Sequence, residues 1–216
     1  MKNLVMFDVD GTLVDSCGFD GVLYARAVRE VLKIEVDETW ASYRNVTDSG
    51  ILEELLVQYR GGSSAEDARS AVKRLFVELT SDHIARRPSA IREIPGARAL
   101  VDALITIPDV CVAVATGGWH ETASLKLRAI GLAVEEFALA TASDSVERTK
   151  IMQLAEQRAM RGHVPVRRTY FGDGSWDKRA AAELGYRFIG VGGRVEHNLL
   201  FGDFNDRQAV LACLAA

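Results

Sequence analysis

Two aspartates close to the N-terminus, Asp8 and Asp10, are the residues best placed to do chemistry. They follow an apolar run and precede Gly11 and Thr12, a turn signal, so they lie where a buried strand ends. Residues two apart on a strand point to the same side, which predicts that both carboxylates emerge together. Carboxylates held close repel each other, and the pair is costly without a cation or a shared proton. A solvated acidic turn is the alternative interpretation.

Further reactive side chains follow two later apolar runs. Thr116 comes after Val110–Ala115, and Asp173 and Asp177 come after Arg168–Phe171. Ligands bind at the carboxyl ends of the strands in open parallel sheets, so these side chains would share one crevice with the first two aspartates. Four aspartates, a hydroxyl and a nearby cation suit phosphoryl chemistry. A carboxylate can attack phosphorus, while a divalent metal, hydroxyl, amide and basic groups hold the phosphoryl oxygens.

The elements that must position these residues alternate along the chain. Apolar runs typical of buried strands occur at Leu4–Asp10, Val110–Ala115, Arg168–Phe171 and Tyr186–Val191, with a weaker one at Phe137–Ala140. Helical periodicity fills the gaps between the later runs. Strands that alternate with helices predict βαβ units and a mainly parallel sheet. The predicted fold class is therefore α/β, with a doubly wound (Rossmann-like) parallel sheet.

One long stretch departs from this alternation. Between the first strand and Val110 the sequence shows helical faces and no convincing strand, with a polar, glycine-rich break at Arg60–Ser64. A helical bundle inserted directly after the first strand explains the pattern. We predict a core domain made of residues 1–15 and 92–216, and a helical cap domain made of residues 16–91.

The amino-acid composition is that of a globular protein. The 216 residues include 26 Lys and Arg against 30 Asp and Glu, for a formal net charge of −4, and 48% are hydrophobic. Such a chain has ample material for a core. The slight acidity argues against nucleic acid or an anionic membrane surface as a partner, because both usually bind a basic patch. No apolar run approaches the length of a membrane span.

The cysteines and the N-terminus indicate a cytoplasmic protein. The three cysteines, Cys17, Cys111 and Cys213, lie far apart, without zinc-site spacing, which favours reduced thiols over disulfides. The N-terminus makes a poor signal peptide because its apolar stretch is short and runs into carboxylates.

Taken together, the motifs resemble those of the haloacid dehalogenase superfamily of phosphohydrolases, in particular phosphoglycolate phosphatase-like members with a helical cap after the first strand. The motifs occur in the family's order: Asp8–Leu13, then Thr116, then a basic residue, then Gly172–Asp177. The resemblance spans nearly the whole chain. One departure is that Gly117 follows Thr116 where many members have asparagine.

This resemblance implies roles for the aspartates. Asp8 would be the nucleophile that forms an aspartyl-phosphate, and Asp10 would be the general acid and then the general base. Mg²⁺ would be held by Asp8, Asp173 and the backbone carbonyl of Asp10, with Asp177 close by. A hard site of oxygen ligands suits this ion.

The resemblance also implies the groups that hold the phosphoryl oxygens. Thr116, Gly117 and the amides around Gly11 and Thr12 would bind them.

The family's third motif is a cation at the start of a helix, and both Arg148 and Lys150 qualify. Residue type favours Lys150, because an ammonium is a compact charge that can bridge nucleophile and phosphate.

The predicted function is hydrolysis of a small phosphorylated metabolite by a Mg²⁺-dependent phosphatase. Retention of Asp10 separates this chain from the dehalogenases, which lack an acid there. A phosphomutase of the same superfamily is an alternative, since mutases keep the same acid. A non-catalytic phosphate-sensing or scaffold protein is a second alternative, although both Asp8 and Asp10 are present. A receiver-like phosphoacceptor domain is disfavoured because receivers lack the inserted bundle.

Overall fold

A six-stranded parallel sheet forms the centre of the computed structural model, which describes residues 2–16, 18–59 and 61–215. Its strands, in spatial order, are β5 (Ala138–Ala140), β4 (Val110–Ala115), β1 (Asn3–Phe7), β6 (Arg168–Gly172), β7 (Arg187–Val191) and β8 (Leu200–Phe201). All neighbouring pairs run parallel. The order changes direction at β1, which lies between β4 and β6. The predicted doubly wound α/β sheet is therefore confirmed.

Helices cover both faces of this sheet. The helices of the sheet domain are α4 (Ala97–Ile105), α5 (His120–Ala129), α6 (Arg148–Met160), α7 (Ser175–Leu184) and α8 (Arg207–Ala215). Successive residues of β1 point to opposite faces. Val5 and Phe7 join the hydrophobic cluster under α4, α5 and α8, whereas Leu4 and Met6 join the cluster under α6 and α7. Burial on both faces explains why the strand sequences are apolar without alternation.

Three further helices follow the first strand: α1 (Asp20–Leu32), α2 (Asp48–Leu56) and α3 (Ala65–Arg86). We call them the inserted helices. They form a hydrophobic cluster of their own, in which the rings of Tyr24 and Phe76 pack edge to face at 5.4 Å. Trp119, which directly precedes α5, packs into the same cluster. The inserted helices therefore rest on the sheet domain at the carboxyl end of β4.

The chain enters and leaves the inserted helices through a short antiparallel pair of strands, β2 (Val14–Asp15) and β3 (Arg92–Glu93).

Side-chain caps fix the starts of two inserted helices. Thr47 accepts a hydrogen bond from the Gly50 amide at α2, and Ser64 does the same for the Asp67 amide at α3. The predicted break between two helices falls between α2 and α3, although its first residue, Arg60, lies outside the described residues.

The structure also contains elements that the sequence pattern did not predict. β2, β3 and β8 have two residues each, too few to show periodicity, and α4 and α8 were not predicted either.

Cys111 and Cys213 are free thiols, whereas Cys17 lies outside the described residues. Within the described part of the chain, no helix has the length and apolarity needed to cross a membrane.

Candidate active site

Three adjacent strands deliver the candidate residues to one edge of the sheet. Asp8 directly follows β1, Thr116 follows β4 and Asp173 follows β6, and β1 lies between the other two strands. Parallel strands end at the same edge, so the three side chains lie next to one another. All three are buried.

A cluster of three carboxylates forms at this edge. Asp8, Asp173 and Asp177 each offer an oxygen, and these oxygens lie within 4.8 Å of one another. Asp177 reaches the cluster from the first turn of α7, where its Oδ2 accepts a hydrogen bond from the Gly174 amide at 3.0 Å. Its Oδ1 lies 3.0 Å from the hydroxyl of Tyr170.

Burial and mutual repulsion disfavour the charged forms of two carboxylates in this cluster. Burial and the neighbouring Asp177 raise the pKa of Asp8 well above its ordinary value, and Arg148 opposes the rise. Burial and Asp177 also raise the pKa of Asp173 to about 7, although Arg194 Nη1 lies 3.1 Å from its carboxylate. An all-oxygen, buried and anionic donor set fits a hard divalent cation such as Mg²⁺.

Arg148, at the start of α6, is the cation next to Asp8 and Asp177 in this cluster. Its Nη1 lies 2.8 Å from Asp177 and 3.2 Å from Asp8, and its Nη2 donates to the Val46 carbonyl at 3.1 Å. Lys150 is 59% exposed, and its ammonium pairs with Glu147 at 3.2 Å. Residues two apart on a helix do not share a face, so only one of the two cations can reach the sheet edge. The preference for Lys150 therefore does not fit this geometry.

A cavity of about 220 Å³ opens onto the cluster. Asp8, Asp10, Thr116, Gly117, Arg148 and Asp173 contribute to its floor, and Tyr24, Trp40 and Asp48 are among the residues of the inserted segment that line it. Hydrogen bonds hold this segment on the sheet edge. The Asp48 amide donates to the Gly117 carbonyl at 2.8 Å, and the Trp119 amide donates to the Asp48 carboxylate at 2.8 Å. The acidic cluster thus faces a cleft that is lined by both polar and apolar side chains.

The family model for haloacid dehalogenase-like hydrolases matches residues 5–191. The chain belongs to this family. The resemblance inferred from the motifs is thereby confirmed, and so is the expectation of an enzyme of the haloacid dehalogenase-like hydrolase type. No protein in the curated set matches the chain in sequence.

Solved structures share the fold at low sequence identity. A hydrolase from Pseudomonas syringae has a TM-score of 0.75 and 20% identity over the whole of both chains. CbbY from Rhodobacter sphaeroides, solved in complex with phosphate, has a TM-score of 0.71 and 22% identity over 94% of this chain and 95% of its own. A predicted phosphoglycolate phosphatase from Haemophilus somnus 129pt has a TM-score of 0.63 and 18% identity over 97% of this chain and 98% of its own. These likenesses show the fold.

Two predicted phosphate contacts are not brought to the cavity of this haloacid dehalogenase-like protein. The Gly11 amide donates to the Val14 carbonyl at 2.8 Å, and the Thr12 amide donates to the Val9 carbonyl at 3.3 Å. Both amides are thus used inside the turn that follows Asp10, for which Gly11 adopts a φ of 79°. Thr116 and Gly117, the other two residues predicted to contact phosphate, do line the cavity.

Sequence reasoning missed one buried cation. Lys126 of α5 is fully buried, and its Nζ lies 2.6 and 2.7 Å from the two carboxylate oxygens of Asp10 and 2.9 Å from Asp20. Attraction to both carboxylates raises the pKa of Lys126 against the opposing effect of burial. A signal was available, because Lys126 occurs three residues after Ala123 and four before Ile130, on the apolar face of its helix.

Proposed function

We propose that this chain hydrolyses a small phosphomonoester, with Asp8 as the nucleophile and Mg²⁺ as the cofactor. The observation that carries the proposal is the position of Asp8. It lies buried at the sheet edge between Asp173, Asp177 and Arg148, and it faces the cavity. Family membership and the phosphate bound by the related CbbY support the same chemistry.

Phosphoryl transfer to Asp8 is the first step of the proposed reaction. An oxygen of Asp8 forms a bond to phosphorus while the bond from phosphorus to the ester oxygen breaks. Asp10, which lines the cavity, gives a proton to the departing oxygen. The product alcohol leaves, and an aspartyl-phosphate stays on the enzyme.

Hydrolysis of this aspartyl-phosphate is the second step. A water molecule attacks phosphorus, and Asp10 accepts its proton as the bond between Asp8 and phosphorus breaks. Inorganic phosphate leaves, and both aspartates return to their starting forms. Thr116 and the Arg148 guanidinium border the space where the phosphoryl oxygens would lie, so they are the groups proposed to hold them.

Asp8, Asp173 and the Asp10 carbonyl would hold Mg²⁺, with Asp177 nearby. When bound, the ion offsets the charge of the carboxylates and of the phosphoryl group. Asp177 has a further role through Arg148, since its carboxylate orients the guanidinium toward Asp8.

The inserted helices are proposed to act as a cap, with residues 16–91 as the cap domain and residues 1–15 and 92–216 as the core domain. The antiparallel pairing of β2 with β3 supports this division, because it brings together the two segments that flank the inserted helices. A cap that closes over the cavity would exclude bulk water during transfer to Asp8. A small phosphorylated metabolite suits the size of the cavity.

Phosphate release from a panel of phosphomonoesters, with Mg²⁺ or with EDTA, tests this function. The panel would include p-nitrophenyl phosphate, glycerol 1-phosphate, phosphoglycolate and glucose 6-phosphate. We expect metal-dependent release of inorganic phosphate from at least one ester. Isomerisation of a sugar phosphate without phosphate release would instead indicate a mutase, and the absence of any turnover would contradict an enzymatic role.

A further inference from the structure

Lys126 has no role in the reaction proposed above, yet it is the most deeply buried cation of the site region. Its side chain is 0% exposed. Burying an ammonium is costly unless carboxylates surround it, and Lys126 binds two. One belongs to Asp10, on the loop after β1, and the other belongs to Asp20, the first residue of α1.

The contact with Asp10 involves both carboxylate oxygens. Distances of 2.6 and 2.7 Å place Nζ almost equally close to both oxygens, so the open end of the carboxylate points at the ammonium. The Ser16 hydroxyl also contacts Oδ1 of Asp10. A carboxylate has about four lone-pair sites, so these contacts leave room for a proton to be exchanged on the cavity side.

The contact with Asp20 crosses from the sheet domain to the inserted helices. Lys126 belongs to α5, which follows β4, whereas Asp20 opens the first inserted helix. A single ammonium therefore connects the carboxylate of Asp10 to the base of the proposed cap.

We propose that Lys126 is a positioning residue that holds the Asp10 carboxylate toward the ester oxygen and couples its position to the docked inserted helices. This inference rests on the proposed function, since it assigns Lys126 to the proton transfer made by Asp10. Lys126 does not line the cavity. Its effect on the reaction would pass through its contacts with Asp10 and Asp20, of which Asp10 is the one proposed to transfer the proton.

A comparison of two esters tests the inference. Departure of p-nitrophenol needs little help from an acid, whereas departure of the alcohol from glycerol 1-phosphate needs a proton from Asp10. The measured quantity is kcat/KM, which covers the steps up to departure of the alcohol and excludes hydrolysis of the aspartyl-phosphate. Asp10→Asn provides the reference, because it must reduce kcat/KM far more for the alkyl ester.

Lys126→Met removes the ammonium and keeps an unbranched side chain of similar length. We expect kcat/KM to fall about 10- to 100-fold for glycerol 1-phosphate and less than about three-fold for p-nitrophenyl phosphate, since a misplaced acid costs on that order. Lys73→Met is the matched control. Lys73 of α3 makes an ion pair with Glu121 of α5 at 2.9 Å, a second bridge to the inserted helices that does not touch Asp10. Lys73→Met should change kcat/KM by no more than about two-fold for either ester.

Asp20→Asn keeps the inference testable even if Lys126→Met fails to fold. It keeps the contact between Lys126 and Asp10 and weakens the contact between Lys126 and the inserted helices. We expect kcat/KM to fall several-fold for glycerol 1-phosphate and to stay unchanged for p-nitrophenyl phosphate. Equal losses for the two esters in Lys126→Met and Asp20→Asn, or no loss, would overturn the Lys126 proposal while leaving the phosphatase intact. No ester selectivity in Asp10→Asn, or no turnover of either ester by the wild type, would overturn the proposed function and the Lys126 proposal together.

Discussion

Arg148 Nη1 lies 3.2 Å from the carboxylate of Asp8, although 140 residues separate them in the chain. The same nitrogen lies 2.8 Å from Asp177, which fixes the direction of the guanidinium. Because β1 lies beside β4 and β6 and α6 begins at Arg148, the fold brings this cation to the first strand. The contact identifies Arg148 as the charge proposed to hold the phosphoryl group against its nucleophile.

Substitution of the two cations of α6 separates their roles. Arg148→Ala should lower kcat at least about 100-fold, because it removes a buried cation from Asp8 and from the transferred group. Lys150→Ala should change kcat less than about two-fold, since this lysine is exposed and its ammonium makes a surface ion pair with Glu147. Steady-state phosphate release measures both. A larger loss in Lys150→Ala than in Arg148→Ala would reverse the assignment.

Gly117 should tolerate no side chain. A Cβ there would collide with Arg148 Nη2 and lie 3.0 Å from the Val46 carbonyl, so Gly117→Ala must displace the cation or the inserted segment. We expect at least a ten-fold loss of kcat/KM, on the order of the cost of a misplaced catalytic group. Gly202→Ala is the control, because a Cβ at Gly202 would meet no atom within 4 Å. Equal activities of these two variants would show that the contact is unimportant.

Removal of the metal should abolish activity, and adding Mg²⁺ back should restore it. EDTA should stop phosphate release, and excess Mg²⁺ should recover it. Mg²⁺ should also raise the Tm of the wild type, because the ion binds the folded carboxylate cluster. Asp173→Asn should lose most of this rise, whereas Asp102→Asn, a change in an exposed carboxylate of α4, should keep it. A chelator-insensitive enzyme, or equal Mg²⁺ shifts in both variants, would contradict the metal site.

Asp20 should make stability depend on pH. Burial and the neighbouring Asp10 raise its pKa from 3.8 to about 6 in the folded protein. Proton binding therefore favours folding, so the contribution is present below about pH 4 and is lost as pH rises through about 6. The wild type should lose up to about 3 kcal/mol of unfolding free energy from this group by pH 7, and Asp20→Asn should not. Urea unfolding at several pH values measures the difference, and parallel curves for the two proteins would contradict it.

The sheet and the helical insertion could be predicted from the sequence, because both depend on the local pattern of apolar residues. The apolar strands that became β1, β4 and β6 end next to the reactive residues, and burial on both faces of the sheet removes the alternation of polar and apolar residues in these strands. The insertion after β1 was visible as helical periodicity. The two-residue strands β2 and β3 were not, because their pairing joins segments about 80 residues apart.

The site was less predictable where it depends on the rotation of helices. Residue type alone favoured Lys150, whereas the phase of α6 brings Arg148 to Asp8. Lys126 looked like one more lysine on a helix, and its partners lie 106 and 116 residues away. Gly11 and Thr12 have the residue types of a phosphate loop, but hydrogen bonding within the turn uses their amides.

Turnover by Asp8→Asn tests the central claim most directly. The substitution is nearly isosteric, so the variant should fold and melt like the wild type, yet it cannot form an aspartyl-phosphate at residue 8. With Mg²⁺ and the best ester of the panel, we predict phosphate release below about one-thousandth of the wild-type rate. Release above that level from folded Asp8→Asn would contradict Asp8 as the nucleophile.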